Sequence, residues 1–335
     1  MEKVKLSVIV CTYNRKTLVS KALDSVIGQK TSFSFEVIVG DDCSTDGTRD
    51  LLLSYRNRYP EKIVLSFMTE NSGIGANWAT ALMKARGEYV AFLDDDDYWT
   101  DNCRMQVLVD YLESHAEYDF LYTNGYTLNE HTGKYKLIVY PKVDYPDIHK
   151  MWEGKQPNVQ LNMLMVRKKL IDECIKLEDY IRFRFPIQDW NTNILLLKKA
   201  HCVYMDFPSC VLRLTDESLS RSLSYDHVQR KHEKAIMMYK YIAEQFSDDP
   251  LISYNEFDEI ESVKYTNHIL ASLAFIRGDY RKAKHYSRLA GGGSFRDKCA
   301  QTWVTFHLFR WAQMIRRKAS ESKEYPADNL CYQQG

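Results

Sequence analysis

Four short apolar runs in the first hundred residues limit this chain to a small set of folds. They are LSVIVC (6–11), FEVIVG (35–40), KIVLSFM (62–68) and YVAFL (89–93). Each is rich in Val, Ile or Phe without polar alternation, the pattern of strands covered on both faces. Between them lie helical stretches. Residues 17–27 put Leu18, Val19, Ala22, Leu23, Val26 and Ile27 on one face, and 46–59 and 76–85 read as two further helices. Strands alternating with helices imply right-handed crossovers and one mostly parallel sheet flanked by helices.

In such sheets ligands bind beyond the carboxyl ends of the strands. Three polar clusters fall there: TYNR (12–15), DDCSTDG (41–47) and DDDD (94–97). Four adjacent carboxylates behind a buried strand repel one another unless something positive joins them. A D-x-D tripeptide here suits Mg2+ or Mn2+ bridging two phosphates, because these cations take oxygen ligands. Asp94 and Asp96 fall on one side of an extended segment. Calcium fails on spacing. Counted from Asp94, Trp99 and Met105 occupy the sixth and twelfth places of an EF-hand, and counted from Asp42, Leu53 replaces the bidentate Glu. In the second loop, Ser44, Thr45 or Asp46 can cap the next helix and Gly47 permits the turn.

The remaining chain is less regular up to residue 200. Residues 105–113 read as a helix, 120–126, 135–140 and 159–166 as strands, and 168–175 and 192–199 as helices. From Ser224 onward the pattern is helical: 226–245, 257–277, 280–289, a GGG turn at 291–293, and 300–318. The expected organisation is a catalytic domain over 1–224, a helical region over 225–320 and a disordered tail over 321–335. Residues 271–290 resemble one tetratricopeptide hairpin, which alone forms no solenoid and suits packing or a homodimer contact. Residues 303–318 combine Trp303, Phe306, Phe309 and Trp311 with Arg310, Arg316, Arg317 and Lys318, a composition for a buried helix or for peripheral contact with an anionic bilayer.

Three motifs, SVIVCTYNR, VIVGDDCSTDGT and the stretch from Asn71 to DDDDYW, in this order and spacing, resemble the inverting glycosyltransferases of family 2 over roughly 5–221. The resemblance implies the α/β GT-A fold, Rossmann-like, with a C-terminal helical extension. It implies that Thr12, Tyr13, Asn14, Arg15, Asp41, Asp42, Asn71, Asp94 and Asp95 line the nucleotide-sugar pocket, with Asp42 on the base. It further implies that Asp96, with Asp94, holds a divalent metal (Mn2+ or Mg2+) on the diphosphate. The base that deprotonates the acceptor is implied at Asp189 in QDW (188–190); the bare residues alone favour a helix cap. Two positions depart from the family pattern. Gln188 replaces the usual acidic neighbour, and Thr215 stands where His is common in VLRLTDESLSR (211–221), leaving Arg213, Ser218 or Arg221 to share its task.

The reaction expected is a metal-assisted single displacement. It moves a sugar from a nucleotide-diphosphate donor, most simply a UDP-sugar, to a saccharide or lipid-linked acceptor in polysaccharide biosynthesis. Residues 158–162 and 122–126 are the expected donor or acceptor contacts. Other classes stay open. A sugar-nucleotide nucleotidyltransferase shares the architecture but wants a glycine-rich basic loop after the first strand, where TYNRKTL has no glycine. A non-catalytic binding protein on this fold would not need Asp189. The 45 basic and 45 acidic residues cancel, so nothing points to nucleic acid. Eight cysteines without a CxxC pair read as reduced thiols, and the apolar run at 6–11 is too short for a signal peptide or membrane span. The expectation is a cytoplasmic protein, peripheral at most on the inner membrane face.

Overall fold

The computed structural model describes residues 3–138, 140, 148–152, 159–185, 189–214 and 225–291. The chain divides into two compact units, Met1–Thr215 and Asp216–Gly335.

The first unit is built on a sheet whose centre is β1 (Leu6–Thr12), flanked by β2 (Phe35–Asp41) and β4 (Tyr89–Asp94). Leu6 pairs with Phe35 on one side and Tyr89 on the other, and β3 (Ile63–Phe67) extends the edge beyond β2. These four strands are parallel. Helices α1 (Val19–Ile27), α2 (Thr48–Arg58) and α3 (Ile74–Leu82) connect them. Every residue of β2 is buried, which is why these runs carry no polar alternation.

Beyond β4, helix α4 (Arg104–Ser114) leads to β6 (Phe120–Thr123), and β9 (Leu164–Arg167) and β10 (Cys202–Met205) complete seven strands in the order β10-β6-β9-β4-β1-β2-β3. β9 runs antiparallel to both β4 and β6. A smaller sheet holds β5 (Tyr98–Trp99), β7 (Gly125–Asn129), β8 (Lys134–Ile138) and β11 (Cys210–Leu214) in the order β5-β11-β7-β8. Short helices α5 (Ile148–Trp152), α6 (Lys168–Cys174), α7 (Leu177–Phe183) and α8 (Asp189–Leu197) cover the region.

Three expectations from the sequence are corrected. Residues 120–126 are not one strand: the chain leaves the main sheet at Asn124, whose amide donates to Asp206, and enters the small sheet at Gly125. A Cβ there would lie 2.7 Å from the carbonyl oxygen of Cys210, so only glycine allows the crossing. The 159–166 strand starts as a 3-10 turn over Leu161–Met163. The helix expected from 192 begins at Asp189.

At the amino ends of the strands, the buried Glu36 carboxylate accepts from the Ser7 hydroxyl at 2.7 Å, the Arg86 backbone N–H at 2.8 Å and the Arg86 guanidinium at 2.9 and 2.6 Å. The Ser7 hydroxyl in turn accepts from the Gly87 N–H. Removing a hydrogen-bonded buried carboxylate strands these donors. Glu36→Ala is therefore expected to lower stability by about 2–4 kcal/mol in urea unfolding, with ligand binding at the opposite strand ends unchanged.

The second unit contains α9 (Tyr225–Gln245), α10 (Glu256–Arg277) and α11 (Tyr280–Leu289). α10 and α11 form a hairpin turned at Gly278 (φ 78°), with the Asp279 side chain capping the Lys282 N–H and Ala274, Phe275 and Ala283 at its centre. Among the described residues, no helix is long and apolar enough to cross a membrane. The helix expected at 300–318, including the membrane-contact stretch 303–318, and the tail 321–335 lie outside them, as do Gln188, Thr215, Ser218, Arg221 and Asn158.

Candidate active site

The carboxyl ends of β1, β2 and β4 carry the three polar clusters, and backbone hydrogen bonds knit the first two together. Asn14, in the left-handed region at φ 52°, donates its N–H to the Ser44 hydroxyl at 2.9 Å and accepts the Thr45 N–H at 2.8 Å. The Arg15 N–H donates to the Thr48 hydroxyl and the Lys16 N–H to Asp46. Asp41 is fully buried and accepts from the Ser44 N–H and the Arg49 guanidinium. Asp42 spends both carboxylate oxygens on the loop before α3, accepting the Ser72 and Gly73 N–H groups at 2.8 Å each. The pair Asp41 and Asp42 thus fixes the loops at the strand ends, and Asn71 and Tyr13 are exposed.

Residues 94–97 are not extended. The Asp97 N–H donates to the Asp94 carbonyl at 3.2 Å, closing a turn that brings Asp94, Asp96 and Asp97 together with ligand oxygens all within 4.8 Å of one another. Asp95 turns the other way, toward β1. Burial and the Asp96 charge raise its carboxyl to about 7 against the opposing pull of Thr12, Arg15 and the Tyr13 backbone. Asp97 is buried and committed: it accepts the Arg213 N–H at 2.8 Å and the Asn162 amide. The Arg213 guanidinium caps the turn by donating to the Asp96 carbonyl and, at 3.1 Å, to the Leu18 carbonyl. Although the Asp94 side chain still reaches solvent, the protein crowded around it pushes its carboxyl well above the usual range. The charges of Asp189, Asp96 and Asp95 add to this, and the Asn162 amide opposes it. Three hard oxygen donors gathered this closely fit a divalent cation such as Mg2+ or Mn2+, which would be held by Asp94 and Asp96.

Asp189 opens α8 and accepts the Leu161 N–H at 3.2 Å. Burial lifts its carboxyl to about 6, against the pull of that N–H. Its charge registers at Asp94 and at the buried Tyr140 hydroxyl, itself held near 12 chiefly by burial. The fold thus brings Asp189 to the acidic turn. Phe185, four positions earlier in the chain, lies against α3, where a Cβ on Gly75 would lie 2.2 Å from the Phe185 carbonyl oxygen. Phe185 packs edge-on to Tyr180, which meets Trp78 of α3 at 5.3 Å.

Sequence reasoning did not single out Asp97, Arg104 or Tyr140. Asn162, expected as a substrate contact, is 1% exposed and bonded to Asp94 and Asp97. Arg213, one of three residues expected to share the task of the His that Thr215 replaces, is turned onto backbone carbonyls. Tyr122, another expected contact, is buried against Tyr140 and Tyr204. The Asp97 signal was present in DDDD, but which of four acids folds inward depends on Arg213, more than a hundred positions away.

The sequence model of Glycosyl transferase family 2 matches residues 7–175. The putative teichuronic acid biosynthesis glycosyltransferase TuaG of Bacillus subtilis is 37% identical over 131 residues, 39% of this chain and 50% of TuaG. The chain spans about a third of the length of the first curated relatives it matches. Among solved structures, a Staphylococcus aureus TarS fragment in complex with UDP-GlcNAc superposes with a TM-score of 0.54 at 18% identity, covering 89% of this chain and 90% of that one. The mannosyltransferase PcManGT of Pyrobaculum calidifontis, in complex with GDP-Man and Mn2+, gives 0.51 at 18% identity over 93% and 86%. Both show the GT-A fold in this chain.

Proposed function

From the premise that this chain belongs to glycosyl transferase family 2, we propose that it transfers a sugar, with inversion, from a nucleotide-diphosphate donor to a saccharide or lipid-linked acceptor of a surface polysaccharide. The observation that carries the reading is the convergence of two chemistries at one sheet edge. An acidic turn suited to a cation meets a carboxylate raised to about 6, as a general base working near neutrality should be. Support for the acceptor class comes from TuaG, named for teichuronic acid biosynthesis. Support for the donor class comes from structures holding UDP-GlcNAc and GDP-Man; UDP is the simpler choice.

In the proposed mechanism the loops of Thr12 to Arg15 and of Asp41, Asp42 and Asn71 frame the nucleoside, and Asp95 braces the turn against β1. Asp94 and Asp96 would hold a divalent cation, whose positive charge, when bound, would offset that of the departing diphosphate. Asp189 takes the proton from the acceptor hydroxyl. The new O–C bond forms at the anomeric carbon as the bond to the phosphate oxygen breaks, and the nucleoside diphosphate leaves.

The test is thermal stabilisation by UDP, GDP, dTDP and CMP, with and without Mn2+. One nucleotide is expected to raise the midpoint by several degrees only with Mn2+, and Asp96→Ala to abolish the rise. No rise with any nucleotide refutes the reading.

A further inference from the structure

An antiparallel strand inside a parallel sheet reverses which of its ends meets the ligand. β9 pairs with β4 so that Arg167 lies opposite Tyr89 and Met165 opposite Ala91. Its entry, the 3-10 turn Leu161–Met163, therefore stands at the carboxyl edge beside the end of β4, where Asp94 sits. Adjacent residues of this turn hold the two functional halves of the site. The Leu161 N–H donates to Asp189. The Asn162 side chain accepts the Asp94 N–H at 3.1 Å, donates to the Asp94 carboxylate at 3.1 Å, and donates to Asp97.

The turn is itself pinned from behind. Arg104, 1% exposed, donates to the Asn162 carbonyl at 3.2 Å and to the Thr123 hydroxyl at 3.1 Å, bonds Ser209, and lies over the Trp99 ring. Burial lowers its guanidinium to about 10. So large a buried cation needs such partners, and its fixed fork gives the turn little freedom.

We infer that Asn162 is a positioning residue: the turn it belongs to sets the cation-binding carboxylate of Asp94 and the proton-accepting carboxylate at one fixed spacing. This rests on the reading of Asp94 and Asp96 as cation ligands and Asp189 as base. The amide is suited to the place because it offers a donor to two carboxylates and an acceptor to the Asp94 N–H at once. Without it, Asp94 and Asp97 face each other with no donor between them and spread apart, moving the cation ligand away from the base. Groups that orient ligands from behind commonly change metal affinity 10- to 100-fold when removed.

The experiment is calorimetric titration of Mn2+ into the full chain with UDP, or with GDP where UDP gives no stabilisation, alongside steady-state transfer. The variants are Asn162→Ala, the milder Asn162→Ser should Asn162→Ala not fold, and Val26→Ala, a core truncation in α1, as the control for simple destabilisation. The expected result is a 10- to 100-fold weaker Mn2+ affinity with Asn162→Ala, a smaller loss with Asn162→Ser, and a fall in kcat that saturating Mn2+ and donor do not restore. Val26→Ala should lower the unfolding midpoint and change neither constant. Mn2+ affinity and kcat within twofold of wild type for both Asn162 variants would overturn the inference alone. A wild type that binds no Mn2+ with any nucleotide overturns the underlying functional reading as well.

Discussion

Asp189→Asn is expected to reduce kcat on the order of 10^3-fold while Mn2+-dependent nucleotide binding stays intact. The amide keeps the shape and can still accept the Leu161 N–H, but it cannot take a proton. The pH profile provides a second readout. The base works only when deprotonated, and burial raises it to about 6. In wild type, kcat/KM should therefore fall about tenfold per pH unit below 6 and level off above it, a limb that Asp189→Asn should lack. Stability runs the opposite way. A carboxyl raised above its unfolded value favours the fold while protonated in both states, and that advantage is lost as pH rises through the unfolded value toward 6. At pH 7 the neutral amide should leave the unfolding midpoint equal or higher, so lost activity cannot be assigned to lost folding. Residual transfer within tenfold of wild type would remove Asp189 from the mechanism.

Gly75→Ala should cost about 10^2-fold in kcat, together with about 1–3 kcal/mol of stability from overpacking. The added Cβ would sit 2.2 Å from the Phe185 carbonyl oxygen, a backbone atom that cannot rotate aside. Relief requires Phe185 or α3 to shift, and Phe185 lies four positions ahead of the base in the chain. Donor binding should suffer less than kcat, because the Asp42 bonds to Ser72 and Gly73 anchor the loop before α3 independently. Equal kcat in thermal-shift-matched samples would show that Asp189 is positioned by other contacts.

The parallel part of the fold was legible because β1, β2 and β4 are buried on both faces and long enough to leave unbroken apolar runs. β5, β10 and β11 were not, being two to five residues with no period to read. The acidic turn could be recognised as a place, but its internal arrangement could not. The pleat places Asp94 and Asp96 on one side of a strand, whereas the Asp97 N–H bond back to Asp94 curls the segment and recruits Asp97. Asn162 was expected to touch substrate, because an Asn before a strand carries no local mark of its partners, which are Asp94 at the end of β4 and Asp97 in the turn after it. Asp189 could be singled out only through resemblance, since a carboxylate opening a helix is ordinarily a cap.

The same strands end in opposite circumstances. At their amino ends Glu36 is saturated with donors, whereas at their carboxyl ends Asp94, Asp95 and Asp97 crowd one another. A substitution's position along a strand therefore says in advance what a cell would notice. Near Glu36 it changes how many copies of the protein survive quality control, because the loss is one of folding. Near Asp94 it changes how fast each surviving copy turns over, and relieving the crowding can even make the idle copy longer-lived. Two natural variants with the same deficit in product can thus have opposite remedies, more protein for one and none for the other.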